Sequence, residues 1–156
     1  MATNRKEEFL CSVIIPVYNE EQNIKPLTER LTSVLKSVTD CHYEIIFSMD
    51  PSTDRTEEVI LSLRGSNPEI KLLRFSRRFG QPAATLAGLR YAQGDICVVI
   101  DADLQDHPEV IPKLIEKWQE TSADVVYAQR RTRQGETFIK RMIALGVLGH
   151  QPDCRC

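Results

Sequence analysis

A chain of 156 residues suits one domain with a core of its own, and 42% hydrophobic and 27% charged residues are ordinary for a soluble globular protein. The net charge of -2 gives no global pull toward nucleic acid, and no nucleic-acid partner is expected. The opening "MATNRKEEF" lacks the apolar run of a signal peptide, no stretch is apolar enough to span a bilayer, and the five cysteines show no metal-ligand spacing before the terminal "CRC"; a reduced, cytoplasmic setting fits.

Residues 1–10 read as an N-terminal tail. "CSVIIPV" is a β-branched buried strand that Pro16 ends. Residues 20–38 then show helical periodicity through Ile24, Leu27, Leu31, Val34, Leu35 and Val38. "YEIIFSM" is a second strand. "DPSTDRTEEVILSLRG" is a turn and helix, with Asp54 and Glu57 spaced as a capping box and Gly65 as the stop. "IKLLRFS" is a third strand and "QPAATLAGLRYAQG" a small-residue helix able to pack tightly on a sheet.

"DICVVID" is the fourth strand, in which Cys97 is a small buried hydrophobe. "HPEVIPKLIEKWQET" is the next helix, with Pro108 near its first turn, and "ADVVYAQ" a fifth strand. A basic link "RRTRQGE", a helix-like "TFIKRMIALGVLG" and the tail "HQPDCRC" close the chain. The alternation predicts an α/β class: a Rossmann-like, mostly parallel sheet with helices on both faces and no internal domain boundary. Ligands of such sheets sit at the carboxyl ends of the strands.

Two common phosphate devices are absent, G-x-G-x-x-G after the first strand and G-x-x-x-x-G-K-[ST] anywhere. The first strand runs instead into "PVYNEE", and the fourth into "DADLQD". On an extended backbone residues two apart point the same way, so Asp101 and Asp103 can face one site. Two hard oxygen donors suit Mg2+ or Mn2+, with phosphate oxygens and water completing the shell, and Gln105 can add an amide oxygen. A D-x-D is equally at home as a solvated turn before a helix N-terminus. Asp50, closing the second strand, can accept from the N–H groups of uracil or guanine, or can form an Asx-turn. Tyr18 can stack on a base or pack, and Asn19 and Glu20 read as helix-cap residues as readily as ligands.

The runs "SVIIPVYNEEQNI", "YEIIFSMDPSTDRT", "RFSRRFGQPAATLAGLRYAQGD", "VVIDADLQDHPEVIPKLIEKW" and "DVVYAQRRTRQGE" resemble the successive motifs of family 2 glycosyltransferases with the GT-A fold. They are most similar to the polyprenyl-phosphate branch, the dolichyl-phosphate mannose synthases and undecaprenyl-phosphate glycosyltransferases. The resemblance implies a nucleotide-sugar-binding domain over residues 11–134. Pro16, Tyr18 and Glu20 would border the base and ribose of a UDP- or GDP-sugar, and Asp50 would bond the base. Asp101 and Ala102 would line the nucleotide, while Asp103 and Gln105, with Asp101, would hold Mg2+ or Mn2+ against the diphosphate. Arg130 and Arg133 would contact donor or acceptor phosphate.

The implied reaction is inverting, metal-dependent transfer of the sugar to an undecaprenyl or dolichyl phosphate. Asp101, Asp103, Arg130 and Arg133 are its implied catalytic residues. A phosphate acceptor is already anionic and needs little help from a base, whereas a hydroxyl acceptor would need one, for which Asp106 is the candidate; otherwise Asp106 caps the next helix. The alternatives are a family 2 enzyme glycosylating a saccharide hydroxyl, and a donor-binding domain without independent activity.

Four positions depart from the family pattern. Met49 stands in place of an acid and Pro51 in place of glycine after the second strand, while Arg78 and Gln81 replace asparagine and lysine. Similar enzymes continue beyond this chain's end, so residues 135–156 read as an amphipathic helix and a truncated tail, with a partner chain or homo-oligomer as possible completion. Phe138, Ile139, Met142, Ile143 and Leu145, beside Lys140 and Arg141, can lie on the cytoplasmic face of a membrane as a peripheral contact or pack on the domain's own core.

Overall fold

The computed structural model describes residues 8–121 and 123–128, and the backbone of 146–149. In chain order the elements are β1 (Phe9–Val17), α1 (Glu21–Lys36), β2 (Cys41–Met49), α2 (Thr56–Ser66), β3 (Ile70–Arg74), α3 (Gln81–Tyr91), β4 (Ile96–Val99), α4 (Ile111–Thr121), β5 (Val125–Tyr127) and β6 (Gly146–Gly149). A 3-10 turn, Pro108–Val110, leads into α4. Strand order in the single sheet is β3-β2-β1-β4-β6-β5. The first four strands run parallel, and β6 lies antiparallel between β4 and β5.

The central strands are buried on both sides because helices cover both faces, and β1 and β2 are wholly apolar toward α1 along their inner length. Val13, Ile15 and Val17 of β1, with Ile45, Phe47 and Met49 of β2, meet Ile24, Leu27, Leu31 and Leu35 of α1, Ile60 of α2 and Ile111, Leu114 and Ile115 of α4 in one buried cluster. Full burial of one side chain such as Phe47 contributes about 1.5–3 kcal/mol. The opposite face belongs to α3. Gly88 lies so close to Ile14 and Ser48 that an added Cβ would collide with the Ile14 side chain, so the small-residue run "AATLAG" reflects how near this helix approaches the sheet.

Several expectations change. The first two strands each begin two residues earlier, and Phe9 is buried beside Trp118 with ring centroids 6.0 Å apart. Pro16 does not end β1, which pairs with β2 as far as Val17↔Met49. Ile14 O, which accepts from Ile100 N–H (3.1 Å), faces β4, and Pro16 two residues on faces the same side. The β1–β4 ladder stops at Ile14↔Val99, so the missing N–H of Pro16 costs no ladder bond. Asp54 and Glu57 form no capping box. Asp54 Oδ1 accepts from Thr56 N–H (3.0 Å), while Glu57 pairs with Arg74 (3.0 Å), and the helix runs through Gly65 to Ser66. Finally, Gly146–Gly149 form an inserted antiparallel strand where the sequence pattern suggested helix. Arg130, Arg133 and the amphipathic residues from Phe138 to Leu145 lie outside the described residues.

Candidate donor-binding site

The sheet order reverses between β1 and β4, and the carboxyl ends of β1, β2 and β4 open there onto a cavity of about 260 Å3. Pro16, Val17, Tyr18 and Glu20 line it from β1, Asp50 from β2, and Asp101, Ala102 and Asp103 from the loop after β4. Arg78, Gly80, Gln81 and Ala84 close it from the start of α3.

Two loops are laced together along one rim. Asn19, in the left-handed region with φ 55°, accepts on Oδ1 from Thr53 N–H (2.8 Å), and its own N–H donates to Ser52 Oγ (3.1 Å). Glu20 N–H donates to Thr56 Oγ1 (2.8 Å) and Glu21 N–H to Asp54 Oδ2 (3.1 Å), while Arg55 N–H returns a bond to Glu21 Oε2 (2.8 Å). Two of the orphan N–H groups at the start of α1, those of Glu20 and Glu21, are thus satisfied by side chains from the neighbouring loop. Glu20 itself precedes α1 without a side-chain cap, and its carboxylate accepts from Asn23 Nδ2 (2.7 Å).

Asp50 is buried, and its two oxygens accept from Phe79 N–H (3.0 Å) and Gly80 N–H (2.8 Å). The carboxylate thus fixes the loop that begins α3. Gly80 has φ 87° and ψ 166°, a backbone geometry essentially reserved for glycine. Each Asp50 oxygen has a second lone pair, and the residue lines the cavity. Opposite, the Arg78 guanidinium lies 4.1 Å over the Tyr18 ring, a cation–π contact at the cavity wall.

The acids after β4 are not on extended backbone. β4 ends at Val99, and residues 101–104 form a turn in which Leu104 has φ 60°. Ala102 turns into the core, leaving Asp101 and Asp103 on the cavity side. Asp101 Oδ1 accepts from Gln81 Nε2 (2.6 Å), and Asp103 Oδ1 from Gln105 N–H (3.0 Å). Burial, then the charges of Asp106 and Asp103, push the Asp101 carboxyl above its ordinary 3.8, against the lowering effect of Gln81. Such crowding of carboxylates is the condition a divalent cation relieves. Among the described residues no group of three His, Cys, Asp or Glu side chains is poised as a complete metal site. A cation here would therefore draw part of its shell from a ligand's oxygens and water, as Mg2+ commonly does.

The remaining acids of "DADLQDHPE" serve elsewhere. Asp106 is buried, with Oδ2 3.5 Å from Asp101 N, and Glu109 accepts from Arg30 Nε (3.0 Å) and Nη2 (2.8 Å). Gln105 is outside the cavity lining. Pro16, Tyr18, Glu20, Asp50, Asp101, Ala102 and Asp103 are brought together, whereas the sequence did not single out Val17, Gly80 and Ala84 as site residues. The signal for Gly80 and Ala84 was the "FGQPAA" run, whose place at the site follows only once β3 crosses to β4 beside β1. Cys97 is buried, and burial pushes its thiol up to about 11.

Residues 12–149 match the family profile described as Glycosyl transferase family 2. An uncharacterised glycosyltransferase of Synechocystis sp. is 47% identical over 133 residues, covering 85% of this chain and 41% of that protein. The bactoprenol glucosyl transferase of Shigella phage SfV is 43% identical over 133 residues, covering 85% of this chain and 43% of its own length. The chain thus spans about two-fifths of the length of these relatives. Among solved structures, the mannosyltransferase PcManGT of Pyrobaculum calidifontis, in complex with GDP-Man and Mn2+, superposes with a TM-score of 0.66 at 22% identity, covering 81% of this chain and 37% of that one. The open switch point, the acids beyond β4 and these likenesses lead to one conclusion: the chain belongs to glycosyltransferase family 2 and has its GT-A, Rossmann-like α/β fold.

Proposed function

We propose that the cavity binds a nucleoside diphosphate sugar and that the reaction it serves transfers the sugar, with inversion, to a polyprenyl phosphate. The observation that carries the donor reading is the pairing of Asp101 and Asp103 on one wall of a cavity whose other wall holds Tyr18, Asp50 and the start of α3. At about 260 Å3 the cavity is smaller than the ~300–1,000 Å3 of a whole ligand pocket, so it accommodates part of such a donor.

Asp50 would accept from a base N–H through its remaining lone pairs, with Pro16, Tyr18 and Glu20 beside the base and ribose. The N-terminus of α3, whose first turn contributes Gln81 and Ala84 to the lining, offers the positive end of its dipole to a diphosphate. Asp101 and Asp103 would hold Mg2+ or Mn2+, which when bound supplies Lewis-acid neutralisation of the departing diphosphate. Gln81, bonded to Asp101, keeps that carboxylate oriented toward the cavity.

A polyprenyl phosphate suits this site better than a hydroxyl acceptor because, in this reading, each lining acid already has a partner or a ligand to hold. Glu20 is held by Asn23, Asp50 by Phe79 and Gly80, and Asp106 is buried behind Asp101. That leaves no evident general base among the described residues, and a phosphate monoester is already anionic near neutral pH. Arg130 and Arg133 are proposed to position that phosphate by bidentate contact. The bactoprenol glucosyl transferase likeness supports the same acceptor class. The chain's place is then beside a membrane, although among the described residues no helix is long and apolar enough to cross one.

The test is transfer of radiolabelled sugar from UDP- and GDP-sugars to polyprenyl phosphate, with the unphosphorylated polyprenol as control. Label extracted into solvent only with the phosphorylated lipid is expected. Label reaching a saccharide hydroxyl instead, or no lipid-linked label with any donor, would overturn the acceptor assignment.

A further inference from the structure

We propose that the outer face of α3 and the loop before it form a docking surface for an anionic lipid bilayer. Residues 71–94 contain five cations, Lys71, Arg74, Arg77, Arg78 and Arg90, and no acid, in a chain whose net charge is -2. Lys71 is bonded to the buried Glu44, and Arg74 turns to Glu57 on the other side of the sheet. Arg77, Arg78 and Arg90 form no ion pair among the described residues, and all three are exposed.

The same surface is apolar where a solvated helix would be polar. The inner side of α3 packs through Ala84 and Gly88, yet Leu86 on its outer side is 68% exposed, and Tyr91, the last residue of the helix, is 64% exposed. Phe79, 47% exposed, adds to them, with Arg77 stacked 4.5 Å over its ring. Exposed aromatic and aliphatic side chains interleaved with arginines are the composition of an interfacial helix, which buries apolar groups at the headgroup boundary while its cations meet anionic headgroups. The helices of the opposite face differ. Their six glutamates are matched by six lysines and arginines, so that side has no net charge to draw it to an anionic surface, whereas this one has.

Charge complementarity therefore selects lipid over a second copy of the chain, because two such cationic faces would repel. Docking through α3 also places the cavity at the membrane, since Gly80, Gln81 and Ala84 at the start of the helix line it. This surface is distinct from the segment 135–156, and its lipid contact does not depend on which acceptor the site uses.

The experiment is co-sedimentation of the full chain with phosphatidylcholine vesicles, with and without phosphatidylglycerol, in the absence of polyprenol and nucleotide. Binding is expected only with phosphatidylglycerol, and should weaken as salt is raised. Leu86→Ser with Tyr91→Ser, and separately Arg77→Gln with Arg90→Gln, should each lower the partition by roughly tenfold or more. All four side chains are exposed, and melting curves establish that each variant is folded. Absence of binding to the anionic vesicles overturns the proposal. So does wild-type binding by both folded variants, which would assign lipid contact to another part of the chain. Donor binding, read separately by melting with nucleotide, is untouched by either result.

Discussion

Asp101 sits in a place where burial and the neighbouring Asp106 and Asp103 all disfavour its charge, and the Gln81 bond offsets this only in part. Without a cation the repulsion is a standing cost of the folded state; Asp101→Asn removes the charge and can still accept from Gln81. The variant is predicted to melt a few degrees above wild type in chelator, the shift that about 1 kcal/mol gives a domain of this size. It should also lose any stabilisation by nucleotide plus metal. Melting curves with and without chelator check both parts; a lower melting temperature in chelator would show that the carboxylate is structural. At this scale the sequence was informative where chemistry is carried by a short run. "DADLQD" marked Asp101 and Asp103, though through an extended geometry that is in fact a turn with Ala102 inward. The lacing of Asn19 to Ser52 and Thr53 was not legible, because nothing in either run shows that the two loops meet.

Among the elements, β1 and β2 carry a second polar feature on the α3 face, away from the cavity. Glu44 accepts on Oε1 from Ser12 Oγ (2.5 Å) and Gln93 N–H (2.8 Å), and Lys71 pairs with its other oxygen. Ser12 Oγ in turn accepts from Gly94 N–H (2.8 Å), so the cluster fastens the entry to β4 onto the centre of the sheet. Burial alone would raise the Glu44 carboxyl, but the bonds from Lys71, Ser12 and Gln93 outweigh it and hold the group below its ordinary 4.5. A depressed folded value means that the ionised carboxylate contributes stability in full above pH 4.5 and loses it as pH falls from there through the folded value. The melting-temperature difference between wild type and Glu44→Gln should therefore be constant near neutrality and shrink below pH 4.5. A difference unchanged across that acid range would contradict the assignment. The strands of this centre were legible as β-branched runs, and α1 by its apolar period. β6 was not: "GVLG" follows a helical pattern, and only long-range pairing with β4 and β5 makes it a strand.

Over the whole molecule, the described fold separates its tasks by edge and face. The carboxyl ends of the parallel strands hold the cavity, the charge-balanced helices α1, α2 and α4 share the larger core, and α3 presents a basic, apolar exterior. That separation follows from the order β3-β2-β1-β4, which carries the chain across the sheet between β3 and β4 and brings the start of α3 to the same opening as the acids. The fold class was readable from the alternation of elements, whereas the face-by-face distribution of charge required knowing which helix covers which side. The central claim is that Asp101 and Asp103 create a metal-assisted site for a nucleoside diphosphate. It is tested most directly by melting the chain and its Asp103→Ala variant with UDP or GDP, each with and without Mn2+ or Mg2+. A ligand that favours the folded state raises the melting temperature, by more the tighter it binds at a given concentration. The account predicts a rise for one nucleotide that requires metal and is absent in the variant; an equal rise in the variant, or none with any nucleotide and metal for the folded wild type, would contradict it.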